Sequence, residues 1–355
     1  MIRKAAILII GVAALLLIAG APDVRASQPF NPTFDILSVS PPTLGSNGDV
    51  SHQLTVPAGD HLPAIETISV PAGWDIAADG AVPDDDIVGS GSLLAVDEGC
   101  DSDIDQFTFD ILDKPKDDPE DKAHWEAALN PVVIFEFTIT GSAASGHTIQ
   151  TLMFTDPVVQ GAYCAPMNLI ITHTGVSIPG SAAVFTNPTV QGLYTWSATY
   201  TPGPFPAPHP DFTPPSDTVA IGPDGDADGT PDFVDNCPSV WNPIQQDFDG
   251  DNVGDDCDTD IDGDDWLNTT EDFVGTGNFK PCAYDSTADN EFDDGYPPDM
   301  NDSMTISGAD MSKVAAVIGL SSSDPGYSQR QDLTADLQIT GADISRVAGV
   351  IGSSC

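Results

Sequence analysis

Short runs of Val, Ile, Thr, Phe and Tyr recur through residues 27–200, and Gly, Pro, Asn and Asp separate them. Runs of this length and composition predict β-strands, and their number predicts an N-terminal antiparallel β-sandwich. The chain is therefore expected to be mainly β. The predicted strands are Phe34–Ser40, Ser51–Val56, Glu66–Val70, Phe107–Leu112, Val132–Thr140, Gln150–Phe154, Leu169–Thr174 and Leu193–Tyr200.

One segment of this region, Pro119–Leu129, has a helical pattern instead. Asp118 suits the N-cap of such a helix, and proline suits its first position. About 170 residues suffice for one substantial core. Three tryptophans are expected to pack in that core, with a sugar-stacking platform as the alternative: Trp74, Trp125 and Trp196.

The C-terminal region contains an internal repeat. Ile306–Gly319 and Ile339–Gly352 are identical at ten of fourteen positions and are offset by 33 residues. Each copy predicts an amphipathic helix, because apolar residues recur at helical spacing. Neither helix could bury its apolar face alone, so we expect the two to pack on each other in a small domain over 280–355. The apolar positions are Val314, Val317 and Ile318 in one copy and Val347, Val350 and Ile351 in the other.

A proline-rich linker is predicted between these two regions, over 201–220. Residues 201–218 hold seven prolines, and such a segment is stiff, spanning about 50 Å at about 3.1 Å per residue. We expect it to separate the β domain from the C-terminal part of the chain. Recognition motifs for partner domains are the alternative.

The charge of the chain limits the classes of partner that it is expected to bind. There are 55 acidic and 10 basic residues, for a formal net charge of -45. The acids concentrate in residues 221–300, where Lys280 is the only lysine or arginine. Nucleic acids and anionic membranes need a basic surface, so neither is an expected partner.

Residues 1–26 have the pattern of a signal peptide. Arg3 and Lys4 precede the apolar run Ala5–Gly20, and Val24–Ala26 is a small-x-small cleavage site. An uncleaved membrane anchor is the alternative. After cleavage no apolar stretch approaches the roughly 20 residues that span a bilayer. We expect a secreted protein, extracellular or at the cell surface.

The six cysteines fall two per region, which fits disulfides in an oxidising compartment. Locality favours the pairs Cys100–Cys164, Cys237–Cys257 and Cys282–Cys355, among 15 pairings that six cysteines allow. Zinc binding is the alternative, but the sequence has no CxxC pair and its histidines are scattered.

Carboxylates recur at every second position between Asp224 and Glu271. Side chains at positions 1, 3 and 5 of a tight loop can converge on one point, and Ca²⁺ is the hard cation that accepts many oxygen ligands there. We number three such loops and expect residues 221–275 to bind Ca²⁺. The expected ligands are Asp224, Asp226, Asp228, Asp232 and Asp235 in loop 1; Asp247, Asp249, Asp251, Asp255 and Asp258 in loop 2; and Asp260, Asp262, Asp264, Asn268 and Glu271 in loop 3.

Position 6 of each loop must turn sharply, often at positive φ. Loop 1 has Gly229 there and loop 2 has Asn252, the next most tolerant type. Asp258 precedes Asp260 at the same two-residue spacing, so neighbouring sites could share it. A solvated acidic linker without ordered metal is the alternative.

Three further motifs in this segment make it resemble thrombospondin type 3 repeats over about residues 224–271. They are DNCP at 235–238, the step Asn242-Pro243 followed by two glutamines, and GDDCD at 254–258. The resemblance implies an irregular chain with little secondary structure, wrapped around a row of Ca²⁺ ions. It also implies disulfides between neighbouring repeats, in support of Cys237–Cys257.

Two weaker loops occur in the C-terminal repeat. Position 7 would offer a backbone carbonyl, while Ile306 and Ile339 anchor the loops in the core. Two such loop-helix units resemble a dockerin domain over about residues 295–355, which implies attachment to a cohesin-like or other extracellular protein. The expected ligands are Asp299, Asn301, Ser303, Thr305, Ser307 and Asp310 in loop 4 and Asp332, Thr334, Asp336, Gln338, Thr340 and Asp343 in loop 5.

Loops 4 and 5 depart from the dockerin pattern. Ser303 and Thr334 replace charged or amide ligands, and Met304 and Leu337 occupy the usual glycine position. The positions that often carry partner specificity are Gly-Ala in both copies, 308–309 and 341–342. A helical pair that holds little metal is therefore the alternative.

No motif of a known catalytic class is evident: G-x-S-x-G, H-E-x-x-H and the P-loop are missing from the sequence. Gly89–Ser92 is interpreted as loop composition. Acids that could serve a glycosidase are Glu66, Glu136, Asp110 and the cluster Asp84–Asp86. Of these, Glu136 is expected on the solvent face of a strand.

These patterns predict a secreted, modular, non-catalytic Ca²⁺-binding protein whose β head, residues 27–200, mediates binding or adhesion. The alternative is a carbohydrate-binding or hydrolytic component of an extracellular polysaccharide-degrading complex. A surface-layer or matrix element is a third hypothesis.

Overall fold

The computed structural model describes residues 32–57, 63–96, 104–116, 118–129, 132–153, 167–178, 182–202, 214–280 and 295–353. The predicted signal peptide lies outside these residues, as do Cys100, Cys164, Cys282 and Cys355. The chain divides into two compact units. The first, called the β unit, is Met1–Asp224 with Gly229–Phe233, and the second, called the loop unit, is Gly225–Asp228 with Val234–Cys355.

The β unit is built from strands. They are β1 Thr33–Ser40, β2 Asp49–Val56, β3 Pro63–Val70, β4 Asp75–Ile76, β5 Ile87–Val96, β6 Ile104–Lys114, β7 Ala123–Leu129, β8 Val132–Ser142, β9 Gly146–Met153, β10 Met167–Ile178, β11 Phe185–Thr186, β12 Gly192–Pro202 and β13 Ser216–Ile221. Each of the eight predicted strands overlaps one of these, so the mainly β, antiparallel prediction is confirmed.

Eleven strands join in one antiparallel sheet, in the order β1-β2-β10-β5-β6-β7-β8-β9-β3-β12-β13. The short strands β4 and β11 pair separately. The two ends of the sheet also meet, because the Ile36 N–H of β1 donates a 2.9 Å hydrogen bond to Asp217 of β13. Hydrogen bonds thus join the strands that were predicted to form a sandwich into one continuous sheet.

Alternate residues of the strands fill one core. In β2, for example, every second side chain is buried, as the two-residue period of a strand requires. Trp74, Trp125 and Trp196 are all at most 1% exposed. Their predicted place in the core is confirmed, and they cannot form a sugar-stacking platform.

The helix predicted at Pro119–Leu129 is wrong. Residues 123–129 form β7, which pairs with β6 on one side and β8 on the other. Trp125 and Ala127 alternate into the core, and this tertiary pairing outweighs the local helix preference. Gly89–Ser92 is not a loop either, since it lies within β5. A Cβ at Gly91 would collide with the Phe109 ring.

The linker predicted over residues 201–220, with its stiff spacer at 201–218, is wrong at both ends, because residues 201–202 end β12 and residues 216–220 belong to β13, while residues 203–213 lie outside the described residues. β13 runs antiparallel to β12, with Ser216 opposite Ser197. The chain therefore returns to the same sheet, and the first residues of the predicted acidic segment continue from its edge strand.

In the loop unit, residues 234–267 contain only turns and bends. The described residues beyond them form three α-helices, α1 Asn268–Val274, α2 Gly308–Ala315 and α3 Gly341–Gly349, and a 3₁₀ helix at Gln329–Gln331. The predicted helix pair α2 and α3 is confirmed, but Ile318 and Ile351 are about half exposed instead of buried. Within the described residues no helix is long and apolar enough to cross a bilayer. The core is formed by Trp266, Val274, Met300, Ile306, Val314, Leu333, Ile339 and Val347.

Candidate metal centre

All five loops have the same backbone turn. Position 6 is at positive φ in every loop, which confirms the predicted sharp turn even where the residue is not glycine. Position 4 is also at positive φ throughout, which sequence reasoning missed although loops 2 and 3 have glycine there. The φ values are 63° and 101° at Ala227 and Gly229, 79° and 76° at Gly250 and Asn252, 66° and 71° at Gly263 and Asp265, 55° and 60° at Asp302 and Met304, and 54° and 68° at Ala335 and Leu337.

The first carboxylate of a loop stabilises this turn. In loops 1 to 4 the position-1 aspartate accepts a hydrogen bond from the N–H of position 6, at 2.7–3.1 Å. Loop 5 differs, because Asp332 accepts from the Tyr327 hydroxyl at 2.6 Å and from the Asp336 N–H at 3.2 Å. A carboxylate that is held in this way is oriented toward the centre of its loop.

Positions 1, 3 and 5 converge in loops 1, 2 and 3. In each loop one oxygen from each of the three aspartates lies within 4.8 Å of the others. Among the described residues, the three-ligand groups of this kind contain only aspartate. None of these groups includes histidine or cysteine, and four of the six cysteines lie outside the described residues.

In loop 1 the position-12 residue Asp235 is 9% exposed. Its Oδ1 accepts hydrogen bonds from the Cys237 N–H at 2.7 Å and the Gln245 side chain at 3.0 Å, while its Oδ2 accepts none from the protein. At position 9, the Asp232 N–H donates to the Pro223 carbonyl. Gln245, which follows the Asn242-Pro243 step, therefore stabilises the end of loop 1 through its hydrogen bond to Asp235. None of these three residues is an expected metal ligand.

Loop 2 lies beside the predicted disulfide. Cys237 and Cys257 are bonded, so this pairing is confirmed. Asp255 at position 9 accepts a 2.8 Å hydrogen bond from the Phe248 N–H. Asp258 at position 12 accepts from the Asp260 N–H at 2.9 Å, which links loop 2 to loop 3.

Loop 3 is the most buried of the acidic loops. Asp262 is 5% exposed, and Glu271, on α1, is 0% exposed. Neither Glu271 oxygen accepts a hydrogen bond from the protein, and the same holds for Oδ2 of Asp264. Asn268 at position 9 accepts a 3.0 Å hydrogen bond from the Ile261 N–H. A Cβ on Gly263 would collide with Asp249 of loop 2, so the two loops are in close contact.

Burial and neighbouring charges raise the pKa values of two loop 3 carboxylates. Burial, followed by the charges of the three loop aspartates, raises the pKa of Glu271 to about 8. Burial also raises the pKa of Asp264 to about 7, against the opposing effect of the Trp266 N–H. Buried carboxylates without hydrogen-bond donors are costly unless an ion compensates them. The donor set of oxygens alone fits Ca²⁺.

In loop 4 Asp299 and Asp310 are buried, but each already accepts hydrogen bonds from backbone N–H groups. Asp299 accepts from the N–H groups of Ser303 and Met304, at 3.1 and 2.7 Å. Asp310 closes a capping box with Ser307 at the start of α2, while its buried Oδ1 accepts no hydrogen bond from the protein. The remaining expected ligands of loop 4 are half-buried or exposed: Asn301 and Thr305.

In loop 5 the position-12 carboxylate is fully engaged by the protein. Asp343 Oδ1 accepts from the Thr334 N–H at 2.9 Å, and its Oδ2 accepts from the Thr340 N–H at 2.7 Å. Asp336 accepts from the Gln338 N–H at 2.9 Å and is exposed, as is the Gln338 side chain. Loop 5 is thus the least suited of the five to a metal.

Three of the acids considered for hydrolysis lie in different surroundings. Glu66 is buried and accepts a 3.1 Å hydrogen bond from Tyr200. Glu136 is half-buried beside His124, so its predicted exposure is partly right. Asp110 lines a groove of about 300 Å³ whose other lining residues carry no acid: Ser90, Gly91, Ser92, Thr108, Phe109, Ile170 and Thr172.

Comparisons with known proteins add little. No protein-family model matches the chain, and no curated protein matches it. Among solved structures, it is similar to BslA, a bacterial hydrophobin, at 10% identity and a TM-score of 0.21, over 54% of this chain and 97% of that one.

Two other solved structures are similar in the same weak sense. AvmM, which catalyses macrocyclisation in alchivemycin A biosynthesis, has 10% identity and a TM-score of 0.22, over 55% of this chain and 90% of that one. The B domain of a biofilm-associated protein has 13% identity and a TM-score of 0.25, over 72% of this chain and 55% of that one. At TM-scores this low, none of the three carries an argument about function.

Proposed function

We propose that this chain is a secreted, modular and non-catalytic protein whose loop unit binds Ca²⁺ as a folding ligand and whose β unit is a binding or adhesion head. The five loops share the turn at positions 4 and 6, and loops 1 to 3 also bring three aspartates together. Nineteen of the 55 acidic residues are expected ligands, so metal binding would account for part of the net charge of -45.

One observation carries the proposal: Glu271 is fully buried, accepts no hydrogen bond from the protein, and is close enough to the three converging aspartates of loop 3 for their charges to raise its pKa. Four carboxylates in one place repel one another. Ca²⁺ accepts 6 to 8 oxygen ligands at about 2.3–2.6 Å, including the bidentate carboxylate typical of position 12. Glu271 occupies position 12 of loop 3, so it is the residue that would supply this bidentate carboxylate.

Calcium would order the loop unit. Residues 234–267 form no helix or strand, and their acidic composition provides little apolar surface to bury. A ligand that binds only the folded state stabilises it, by about 2.7 kcal/mol for each site at 100 times its Kd. Loop 3 leads directly into α1, whose Val274 packs in the core of the loop unit.

We also propose that the acidic loops are thrombospondin type 3-like repeats and that residues 295–353 are a dockerin-like pair. The confirmed disulfide Cys237–Cys257 supports the first. The second is supported by two loop-helix units with matching capping boxes, at Ser307 and Thr340, and with Val314 and Val347 in one core.

A carbohydrate-related role is the alternative function. The dockerin-like pair supports it, because such a module attaches secreted polysaccharide-degrading proteins to cohesins. A cohesin panel, probed with the full chain in Ca²⁺, tests attachment, and a glycan array with a hydrolysis assay tests the head. Binding without hydrolysis favours a carbohydrate-binding component, and hydrolysis overturns the non-catalytic proposal.

Calorimetric titration of Ca²⁺ into the chelated full chain tests the main proposal. Glu271→Gln should remove or weaken at least about tenfold one binding event, because it removes one of the charged ligands that set affinity. Asp272→Asn is the matched control: it lies next to Glu271 on α1, is exposed, and should leave the isotherm unchanged. Equal isotherms for the two variants and the unsubstituted chain would contradict Ca²⁺ binding at loop 3.

A further inference from the structure

A fourth carboxylate group lies in the β unit, outside the five loops. It consists of Asp79, Asp84 and Asp113, each with one oxygen within 4.8 Å of the others. Asp113 lies near the end of β6, whereas Asp79 and Asp84 lie in the turns between β4 and β5. Residues more than 30 positions apart are thus brought to one place, and sequence spacing contains no sign of the group.

Asp113 is the buried member of this group, at 2% exposed. Its Oδ2 is fully buried and accepts no hydrogen bond from the protein. The Trp125 side chain donates a hydrogen bond to the same carboxylate. A buried carboxylate with one open oxygen, facing two further carboxylates, is costly without a compensating charge.

The backbone holds the other two acids against Asp113. The Asp113 N–H donates to the Asp86 carbonyl and the Asp85 N–H to the Asp113 carbonyl, both at 2.9 Å. These bonds fix the turn that carries Asp84. The Asp79 N–H donates to the Lys122 carbonyl at 2.7 Å. The three carboxylates are therefore held together by the fold.

Nearby lysines do not supply the missing charge. Lys114 pairs with Asp85, and Lys122 pairs with Asp75 at 2.6 Å. Lys116 donates to the backbone carbonyl of Asp121 at 3.1 Å. In the described part of the chain, each of these ammonium groups is thus directed at an acceptor outside the group.

We propose that Asp79, Asp84 and Asp113 form a Ca²⁺ site in the β unit. Two oxygens bound to the same ion are separated by at most twice the metal–oxygen distance. This upper limit is about 4.6–5.2 Å for Ca²⁺ and about 4.0–4.2 Å for Mg²⁺. Mutual separations within 4.8 Å are short enough for all three oxygens to bind one Ca²⁺. Three oxygen donors with no nitrogen or sulfur also select a hard cation.

The site links the turn before β5 to the end of β6, so bound Ca²⁺ stabilises the head independently of the loop unit. The proposal does not depend on Ca²⁺ binding at loops 1 to 5. It predicts one ion more than those loops hold.

Equilibrium dialysis of the full chain against Ca²⁺, with metal analysis, tests the site. Asp84→Asn should lose one bound equivalent, or bind it at least about tenfold more weakly, since charged ligands set the affinity of such sites. Asp84 is exposed, so its substitution leaves the core intact. Asp113→Asn should have the same effect on Ca²⁺ binding and provides a second, independent variant.

Asp110→Asn is the matched control, because Asp110 is an exposed acid on the same strand and lies outside the group. It should bind as many ions as the unsubstituted chain. Unchanged binding in both Asp84→Asn and Asp113→Asn overturns the proposal, whereas the loss of one ion in either folded variant supports it. Glu271→Gln, measured in parallel, reports on loop 3 alone and so separates failure of this site from failure of the loop unit.

Discussion

The backbone N–H of Ile36 donates a 2.9 Å hydrogen bond to Oδ2 of Asp217, which lies 181 residues later in the chain. This bond joins the first and last strands of the sheet order. Its acceptor belongs to a segment that composition alone had assigned to a linker. The edge of the head is therefore completed by residues that directly precede the acidic loops.

Replacing Asp217 should weaken this edge. We expect Asp217→Ala to destabilise the head by about 1–2 kcal/mol, because a partly buried hydrogen bond to a charged acceptor is lost. Urea unfolding measures the change, and hydrogen exchange at the Ile36 amide shows whether protection is lost at the edge. Asp35→Ala, an exposed acid on β1, is the control. Equal stability of the two variants would contradict a role for the bond.

How far the sequence predicts this protein depends on the range of the interactions involved. The turn at position 6 follows from local spacing, so Asn252 and Gly229 could be assigned without coordinates. By contrast, β7 depends on pairing with β6 and β8, and its Ala-rich sequence favours a helix locally. β13 was not predicted, because the prolines that precede it dominate the composition of its segment.

The candidate site shows the same division. Glu271 was predicted as a ligand from its place in loop 3, but its full burial follows from the packing of α1 and could not be read from spacing. Asp343 occupies the equivalent position in loop 5, yet the structure commits both its oxygens to backbone donors. Equivalent positions in a repeat therefore differ in chemistry through their surroundings.

Removing Ca²⁺ should destabilise and expand the loop unit. EGTA is expected to lower its melting temperature and raise the radius of gyration of the full chain, since uncompensated carboxylates repel. Excess Mg²⁺ should not restore either value, because it prefers rigid octahedral sites with shorter bonds. Thermal unfolding and small-angle scattering provide the measurements. Identical melting curves and scattering profiles with and without Ca²⁺ would contradict a role of Ca²⁺ in folding the loop unit.

The pH dependence of the loop unit should change sign with Ca²⁺. Glu271 has a pKa raised from 4.5 to about 8, chiefly by burial and then by the neighbouring aspartates. In EGTA its proton stabilises the folded state fully below pH 4.5, and this stabilisation is lost as the pH rises to about 8. In Ca²⁺ the proton competes with the metal, so stability should instead rise over the same window.

Melting temperatures across that pH window, with and without Ca²⁺, measure the two slopes. Glu271→Gln should reduce both slopes, because glutamine does not titrate, while Asp264, with a pKa of about 7, contributes the remainder. Asp272→Asn serves as the control: its charge contributes least to the raised pKa of Glu271, so both slopes should keep their sign and most of their size. Slopes of the same sign in EGTA and Ca²⁺ would count against Glu271 as a metal ligand.

The disulfide should hold loops 1 and 2 in register. Cys237 and Cys257 are 20 residues apart, and a crosslink of this span contributes about 3 kcal/mol in the chain-entropy model. We expect Cys237→Ala with Cys257→Ala to lower the stability of the loop unit and its affinity for Ca²⁺ together. Calorimetric unfolding and Ca²⁺ titration measure the two effects. Unchanged affinity would show that loop 2 forms without the crosslink.

Loops 3 and 5 should respond oppositely to loss of their position-12 charge. Asp343→Asn is expected to cost about 1–2 kcal/mol with or without Ca²⁺, because the carboxylate closes a capping box and accepts from the Thr334 N–H. Glu271→Gln should stabilise the chelated protein, because the folded state no longer has to take up a proton at neutral pH, and destabilise the Ca²⁺-loaded one. Denaturant unfolding of both variants in EGTA and in Ca²⁺ distinguishes a structural carboxylate from a metal-binding one. A Ca²⁺-dependent penalty in Asp343→Asn would show that loop 5 holds an ion after all.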